Sequence, residues 1–452
     1  MSNYERQRTR NKHIRLERLC KEITFFKDYE NDPYVNVDIN GVARGSPIAT
    51  FTATRAASAP ATYVDANGVV QLVTTSDIPR FQGGYYDATG FHAQKGLMIE
   101  AARTNLLIRT NGTAGAAGLW TGWSIVESIA GTPTTTAVAI PELTSIAGAK
   151  SMSVDYVDGV DANKAFQATS TSTDAGSVVN GETVTLSFWA RSSGITGANF
   201  TGVVKFRDAA DAALTETATA TLTLTTSWRY FTLAATASNA NTSRARVAIG
   251  FSAGVDQGDV LNFEIWGVQL EKNPYATSFI PTTTASLTRG AEVLTYPILN
   301  NRTAEQETIV IKFAPRSAFA NDNVERVICS TDTKNRVVRK LNTGTKAYFA
   351  PNITDSSAAN TSSTTVPAAN TSYVVCSVAY GSTAGTNAEI YINGISEGTD
   401  ADNYTTPAWG TNFYVGSKND GTLQLNGIIQ KVAMFGRAMI AAEIMEVTTL
   451  WT

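Results

Sequence analysis

Alternation of apolar and polar residues is the dominant pattern along most of the chain. The run 182–191 alternates strictly, one face being Val184, Leu186, Phe188 and Ala190 and the other Thr185, Ser187, Trp189 and Arg191. Similar runs recur at 200–206, 228–234, 245–251 and 260–270, and again between 308 and 435. Turn signals such as Asn180-Gly181 and Asn393-Gly394 separate several of them. Many short strands of this kind are typical of sandwiches and jelly rolls.

The pattern therefore predicts a mainly β protein with two β-sandwich domains of the jelly-roll or lectin-like type. We place them at residues 111–285 and 286–452, after a small β-rich connector at 31–110 and a short N-terminal α-helix within 1–30. Within the connector, Asp65-Ala-Asn-Gly68 predicts the turn of a hairpin. A chain of 452 residues has room for about two to four domains.

The first 30 residues are the charged part of the chain. Seven Lys or Arg face a single acid between residues 6 and 21, and apolar residues recur at steps of two to four. This spacing predicts a basic amphipathic helix that ends before Pro33. We expect it to dock on another protein or on copies of itself; folding back on its own domain and contact with RNA or DNA are the alternatives. The candidate anchoring residues are Arg8, Arg15, Leu16, Leu19, Ile23 and Phe26.

The amino-acid composition argues against several classes of function. A net charge of −3 argues against bulk binding of nucleic acid, and two His and three Cys disfavour a His-dependent hydrolase, a zinc enzyme and a disulfide scaffold. Cys329 and Cys376 lie in apolar runs and are expected to be buried as small hydrophobic residues, although a bridge between them stays open. No apolar segment follows the basic start, so we expect no secretory signal, and no run is long enough to span a membrane.

Paired aromatic and charged residues on the central strands suggest a sugar site. If Phe188, Val247, Ile249, Phe263 and Ile265 face the core, the opposite face carries Trp189, Arg191, Arg246, Glu264 and Trp266. Aromatic rings offer a stacking surface to a sugar, and charged forks bind its hydroxyls. In the alternative interpretation this face is buried, the two tryptophans are packing residues, and Arg191 and Glu264 form an ion pair.

The sequence offers few candidate residues for catalysis or for metal binding. Asp155, Asp158 and Asp161 are the candidate for a structural Ca²⁺ site, but they lack the EF-hand pattern, and Asp158-Gly159 also reads as an ordinary turn. No G-x-S-x-G motif occurs, and His13 and His92 are too few for a triad. Glu264 with Glu271 is a candidate acid pair without a distinctive setting. We therefore expect no enzymatic activity and no other cofactor.

Three groups of motifs carry a resemblance. Thr54-Arg-Ala-Ala-Ser58, Ile78-Pro-Arg-Phe81 and the run 96–107 resemble an element of tailed-bacteriophage structural proteins. In that family the element precedes a sandwich similar to a carbohydrate-binding module, whose closing motif resembles residues 266–282 and 287–292 here. The C-terminal domain resembles a laminin-G or concanavalin-like sandwich at 389–394, 413–417, 427–432 and 441–444.

The resemblance implies a virion fibre or spike, on the tail or the head, that presents its sandwiches to host-surface glycans. Its N-terminal segment would bind other virion proteins, and the chain would form a homo-oligomer, a trimer in particular. Such a protein is assembled in the bacterial cytoplasm and released by lysis as part of the virion. A capsid- or neck-bound decoration protein without a receptor role and a polysaccharide depolymerase are the alternatives.

Overall fold

The structure is a computed structural model. It describes residues 23–28, 30, 36–37, 43–44, 52–55, 60–111, 120, 122–127, 134–155, 164–171, 176–195, 199–297, 306–321, 325–331, 337–340, 347–350, 361–380, 388–400 and 412–452.

The described residues are mainly β-strand. The first nine strands are β1 (Ile23–Asp28), β2 (Asn36–Val37), β3 (Ala43–Arg44), β4 (Thr52–Arg55), β5 (Ala61–Val64), β6 (Val70–Val73), β7 (Arg80–Asp87), β8 (Gly90–Ile99) and β9 (Arg103–Asn105). Next come β10 (Trp123–Glu127), β11 (Thr134–Ala139), β12 (Lys150–Asp155), β13 (Lys164–Ser170), β14 (Gly176–Ser177), β15 (Thr183–Ile195), β16 (Phe200–Arg207), β17 (Ala213–Ala218), β18 (Arg229–Thr236), β19 (Arg244–Val255) and β20 (Leu261–Glu271). The last are β21 (Leu287–Arg289), β22 (Glu292–Pro297), β23 (Glu307–Pro315), β24 (Arg326–Thr331), β25 (Val337–Lys340), β26 (Ala347–Ala350), β27 (Thr361–Ser362), β28 (Tyr373–Ala379), β29 (Ala388–Ile392), β30 (Ile395–Asp400), β31 (Asn412–Val415) and β32 (Gly427–Phe435). A 3-10 turn covers Phe319–Asn321, and helix α1 covers Ala441–Trp451.

The first sandwich is built from two antiparallel sheets. One has the order β10-β13-β19-β16-β17 with β14 beside β19, and the other has the order β11-β12-β20-β15-β18. The apolar faces meet in one core, where the rings of Phe200 and Phe263 lie 5.0 Å apart across the two sheets. The five predicted core residues are each at most 2% exposed: Phe188, Val247, Ile249, Phe263 and Ile265. The alternating pattern thus correctly identified the inner face.

The second sandwich encloses a separate core. Its sheets have the orders β30-β29-β28-β23-β32-β8-β7, with β1 beside β32, and β27-β26-β25-β24-β31-β22-β4. Helix α1 covers the outer side of the first of these sheets, where Ile444 and Val447 pack against residues of β23 and β28. The mainly β, two-sandwich fold class predicted from the sequence is therefore the observed one.

Strands of the expected connector are shared with the second sandwich. Strand β4 pairs with β22, and β8 pairs with β32 and β7. The hairpin of β5 and β6 forms a two-stranded sheet of its own, as β2 and β3 also do. The β5–β6 hairpin touches the first sandwich through Val70, whose N–H donates to Leu143 O at 2.8 Å. The segment 31–110 is thus built into both halves rather than standing between them.

The helix expected in residues 1–30 does not extend over Ile23 and Phe26. Both lie on β1, where Ile23 is opposite Phe435 and Phe26 opposite Ala433 of β32. A strand here gives β32 a ladder of backbone hydrogen bonds, which outweighs the local helical spacing. Arg8, Arg15, Leu16 and Leu19 lie outside the described residues.

The hairpin turn and the buried cysteines that the sequence predicts are present in the structure. The predicted hairpin turn at Asp65–Gly68 is present, with Gly68 at φ +82° and the Asp65 carboxylate accepting from the N–H groups of Asn67 and Val69. Cys329 and Cys376 are both buried and unbridged, as the interpretation as small hydrophobic residues predicted. In the described part of the chain no helix is long and apolar enough to cross a membrane.

Candidate binding cleft between the sandwiches

The two tryptophans of the predicted sugar-binding face are buried. Trp266 is fully shielded and Trp189 is 5% exposed, and their rings pack 5.2 Å apart on the neighbouring strands β15 and β20. Phe279, from the segment after β20, packs 4.8 Å from Trp266. Trp266 therefore offers no surface on which a sugar ring can stack, which corrects the expectation.

The predicted charged forks bind other protein groups. Arg191 Nη2 lies 2.9 Å from Glu264 Oε1, and Nη1 lies 2.8 Å from Glu142 Oε1. The Arg191 guanidinium also sits 4.6 Å from the ring centre of Trp228. These contacts agree with the alternative interpretation, in which Arg191 and Glu264 form an ion pair.

Arg246 belongs to a different surface. It lies on β19 in the opposite sheet and pairs with Asp211. Alternation along a strand separates inside from outside, but it does not say which of two sheets a strand joins. The five predicted sugar-binding residues are therefore not brought together.

The Ca²⁺ candidate is not assembled among the described residues. Asp155 lies exposed at the end of β12, whereas Asp158 and Asp161 lie outside the described residues. In the part of the chain that the structure describes, no three His, Cys, Asp or Glu side chains are grouped as metal ligands.

A cleft of about 580 Å³ opens where the first sandwich, the connector and the second sandwich meet. Sequence reasoning missed it, apart from Trp189, which forms part of its wall. The residues on which we rely are Tyr63, Gln82, Tyr85, Tyr86, Asp87, Glu100, Trp189, Tyr230, Ser278, Arg316 and Asn370.

One wall of the cleft is aromatic. Trp189 and Tyr230, on neighbouring strands of the first sandwich, have ring centres 4.4 Å apart. The ring of Tyr86 lies edge-on to Trp189 at 6.5 Å, and Tyr63 adds a half-buried ring from β5. Burial raises the pKa of Tyr230 above its usual range, so the phenol stays neutral and can donate or accept a hydrogen bond.

Polar groups line the opposite side. Arg316 Nη1 donates to Asn370 Oδ1 at 2.8 Å and to Gln94 Oε1 at 3.2 Å, and the guanidinium lies 5.0 Å from the ring centre of Tyr85. Gln82 is 4% exposed, its amide N–H donates to Gly84 O, and its Oε1 has no hydrogen-bond partner among the residues that the structure describes. Aromatic faces beside hydrogen-bonding side chains in a concave space are features that small-molecule binding sites share.

A buried ion network forms the floor of the cleft. Arg80 donates to both carboxylate oxygens of Glu292, at 2.6 and 2.5 Å, and to Glu100 at 2.8 Å. Ser278 donates to Glu100 through its N–H and its hydroxyl, and Arg289 Nη1 lies 3.3 Å from the same carboxylate. Burial acts to raise the pKa of Glu100, but Arg289, Arg80 and the Ser278 hydrogen bond outweigh it and lower this pKa to about 2.

These network residues had a signal in the sequence. Arg80, Glu100, Ser278, Arg289 and Glu292 all lie inside the motifs that carry the resemblance to phage structural proteins. Their role was hidden because Arg80 and Glu292 meet only in the folded chain, across 212 positions.

None of the curated protein sequences compared with the chain matches it. Among solved structures, the enzymatically active domain of tailspike protein 4 of bacteriophage CBA120 has a TM-score of 0.28 and 16% identity over 36% of this chain and 21% of its own. The CBM22-1 xylan-binding domain of Paenibacillus barcinonensis Xyn10C has a TM-score of 0.25 and 14% identity, and the match covers 41% of this chain and 99% of that domain. A Trypanosoma rangeli sialidase has a TM-score of 0.27 and 11% identity, and the match covers 34% of this chain and 26% of the sialidase. The chain thus spans about a fifth of the tailspike domain and about a quarter of the sialidase, and similarities this weak carry no functional argument.

A family match covers the C-terminal part. Residues 300–445 match the family model described as the Concanavalin A-like lectin/glucanases superfamily. The match falls on the second sandwich, most of whose strands lie within residues 300–445. Residues 300–445 are therefore a laminin-G or concanavalin A-like β-sandwich domain.

Proposed function

We propose that the protein is a virion structural protein of a tailed bacteriophage, of the fibre or spike type, and that it adheres to host-surface glycans through the cleft between its sandwiches. The observation that carries this proposal is the combination, in one concave site, of an aromatic wall and unsatisfied polar groups. The motif resemblance at residues 54–107 and 266–292 supports the assignment to a virion.

The cleft suits a carbohydrate because a sugar ring has an apolar face and a rim of hydroxyls. Tyr63 and Tyr230 are half-buried, so each ring keeps some accessible surface along the wall. Gln82 Oε1 offers a hydrogen-bond acceptor that no donor in the described part of the chain occupies. The proposed activity is binding rather than catalysis, and repeated copies on a particle would supply avidity.

Binding of host glycans by the full-length protein tests the proposal. Titration of glycans released from the host surface should show saturable binding that Tyr63→Ala and Tyr230→Ala each weaken about threefold to tenfold, because an aromatic contact contributes about 0.5–1.5 kcal/mol. Tyr414→Ala is the matched control, since Tyr414 is half-buried on β31 and lies outside the cleft. Absence of binding to any host glycan would favour a decoration protein without a receptor role, and release of reducing ends would favour a depolymerase.

Anchoring and assembly are proposed for the N-terminal segment. Removing residues 1–22, which hold Arg8, Arg15, Leu16 and Leu19, should abolish incorporation into particles while the sandwiches still fold. Light scattering on the full-length protein should give a homo-oligomer, a trimer in particular. A monomer, or particles that take up the truncated chain normally, would contradict this part of the proposal.

A further inference from the structure

Among the described residues that line the cleft, Arg316 is a cation without a carboxylate partner. Its guanidinium contacts the neutral amide oxygens of Gln94 and Asn370 and the ring of Tyr85. Its Nη2 is shielded from solvent and has no hydrogen-bond partner among the described residues. Burial lowers the pKa of Arg316 to about 10, so the group is still charged at neutral pH.

The acidic groups that share the cleft are already engaged. Glu100 accepts from Arg80 and Ser278 and lies 3.3 Å from Arg289. Asp87 accepts from the Thr89 N–H at 2.7 Å and lies 2.9 Å from His92 Nε2. Neither carboxylate pairs with Arg316 within the described part of the chain, so its charge is left for a ligand.

A partly buried guanidinium without a carboxylate partner is costly, because its desolvation is not offset by an opposite charge. Here the cation is nevertheless held in a defined place: its Cζ lies over the Tyr85 ring, 5.0 Å from the ring centre, and Nη1 donates to two amide oxygens. A ligand carboxylate that contacts the guanidinium from the cleft would supply the missing opposite charge. Hydrogen bonds between ionised partners are roughly twice as strong as neutral ones, and the planar guanidinium matches a carboxylate.

We propose that the cleft selects acidic glycans, in which a sugar carboxylate pairs with Arg316 while the aromatic wall contacts the sugar ring. This inference rests on the proposed glycan binding and adds the ligand class. It assigns Arg316 the role of a specificity-determining residue. Neutral glycans would bind through the aromatic wall and Gln82 without the ion pair to Arg316, and therefore more weakly.

Comparing one glycan in two chemical forms tests the inference. A uronic-acid oligosaccharide and its carboxyl-reduced counterpart are titrated into the full-length protein at low salt. The acidic form should bind at least about tenfold more tightly, which corresponds to one strong charged hydrogen bond. Raising the salt concentration should weaken the acidic form and leave the neutral form nearly unchanged.

Variants then locate the selectivity. Arg316→Gln should bring the acidic glycan down to the affinity of the reduced one and leave the reduced one unchanged, while Arg316→Lys should retain part of the preference. Arg244→Gln is the matched control: Arg244 lies on β19 outside the cleft and donates to Ala209 O, so the preference should persist.

The outcomes separate the two proposals. Equal affinity for both forms in the wild-type protein, or an equal loss of both forms in Arg316→Gln, overturns the acidic preference and leaves glycan binding standing. Failure of both forms and of all host glycans to bind removes the proposed function itself. If Arg316→Gln does not fold, the comparison of the two glycans and their salt dependence in the wild-type protein still decides the inference.

Discussion

Five charged side chains, Arg55, Arg80, Glu100, Arg289 and Glu292, are each at most 6% exposed and lie in one group. Glu292 is central, because it accepts from Arg80 and lies 4.0 Å from Arg55 Nη1, and its Oε2 also accepts from the Glu100 N–H at 3.0 Å. The group joins the connector to the segment between the sandwiches. Its integrity therefore determines the shape of the cleft floor.

Removing one member should be strongly destabilising. We expect Glu292→Gln to lower the free energy of unfolding by about 3–5 kcal/mol, because it leaves Arg80 buried without its bidentate partner. The matched control is Glu216→Gln, which breaks the partly exposed pair with Arg207 at 3.1 Å and should cost about 0–1 kcal/mol. Denaturant titration measures both, and equal losses would contradict the assigned role of the network.

The same network predicts a dependence of stability on pH. The pKa of Glu100 is about 2 in the folded protein, against an ordinary value of 4.5, so the folded state binds the proton less well than the unfolded state. Its stabilising contribution is complete above about pH 4.5 and is lost as the pH falls toward 2. Burial raises the pKa of Glu271, so that group acts in the opposite direction.

Denaturant titrations at pH 6, 4.5 and 3 check this effect. Stability of the wild-type protein should fall steeply between the last two values, and Glu100→Gln, although less stable at pH 6, should show a shallower fall. An identical acid dependence in the two proteins would show that Glu100 is not the group responsible.

At the scale of elements, strand β15 shows where periodicity stops being informative. Its polar face was predicted to be outside, yet Thr185 and Ser187 are as well buried as Leu186. The segment after β20 covers that face, with Thr185 Oγ1 donating to Asn273 O at 2.6 Å. The alternation within one strand cannot predict that a segment from elsewhere in the chain will bury the polar face of that strand.

The packing of strand β7 beneath the β5–β6 hairpin is a second such contact, and Gly83 makes it possible. A Cβ at this position would overlap the backbone of Asp65 and Ala66. Gly83→Ala should therefore displace the hairpin, destabilise the protein by about 1–3 kcal/mol and weaken glycan binding, since the hairpin carries Tyr63.

Gly194→Ala on β15 is its control, because a Cβ there meets nothing within 4 Å. Thermal unfolding and glycan titration compare the two variants. A stable Gly83→Ala protein with unchanged binding would show that the hairpin packs differently.

At the scale of the whole molecule, the two sandwiches share strands and an ion network with the connector. A fragment of residues 286–452 would lack β1, β4, β7 and β8. Of the described neighbours, β32 would then keep only β23 and β22 would keep only β31, so both would become open sheet edges. We expect this fragment to aggregate or to unfold without cooperativity, whereas the full chain unfolds cooperatively. Circular dichroism and light scattering distinguish these results, and a stable monomeric fragment would contradict the expected dependence.

Local sequence determined the strands, their inner faces and several turns. Alternation identified Phe188 and Ile265 as core residues, and Asp65–Gly68 as a hairpin turn, because pleating and turn chemistry act between near neighbours. Only the tertiary structure decided which sheet each strand joins, so that Arg191 and Arg246 lie on different surfaces and β1 replaces part of a predicted helix. It also decided the cleft, since Tyr85, Trp189 and Arg316 converge through pairings between distant strands. Such pairings depend on the total packing and backbone hydrogen bonding of the chain, which no local pattern contains.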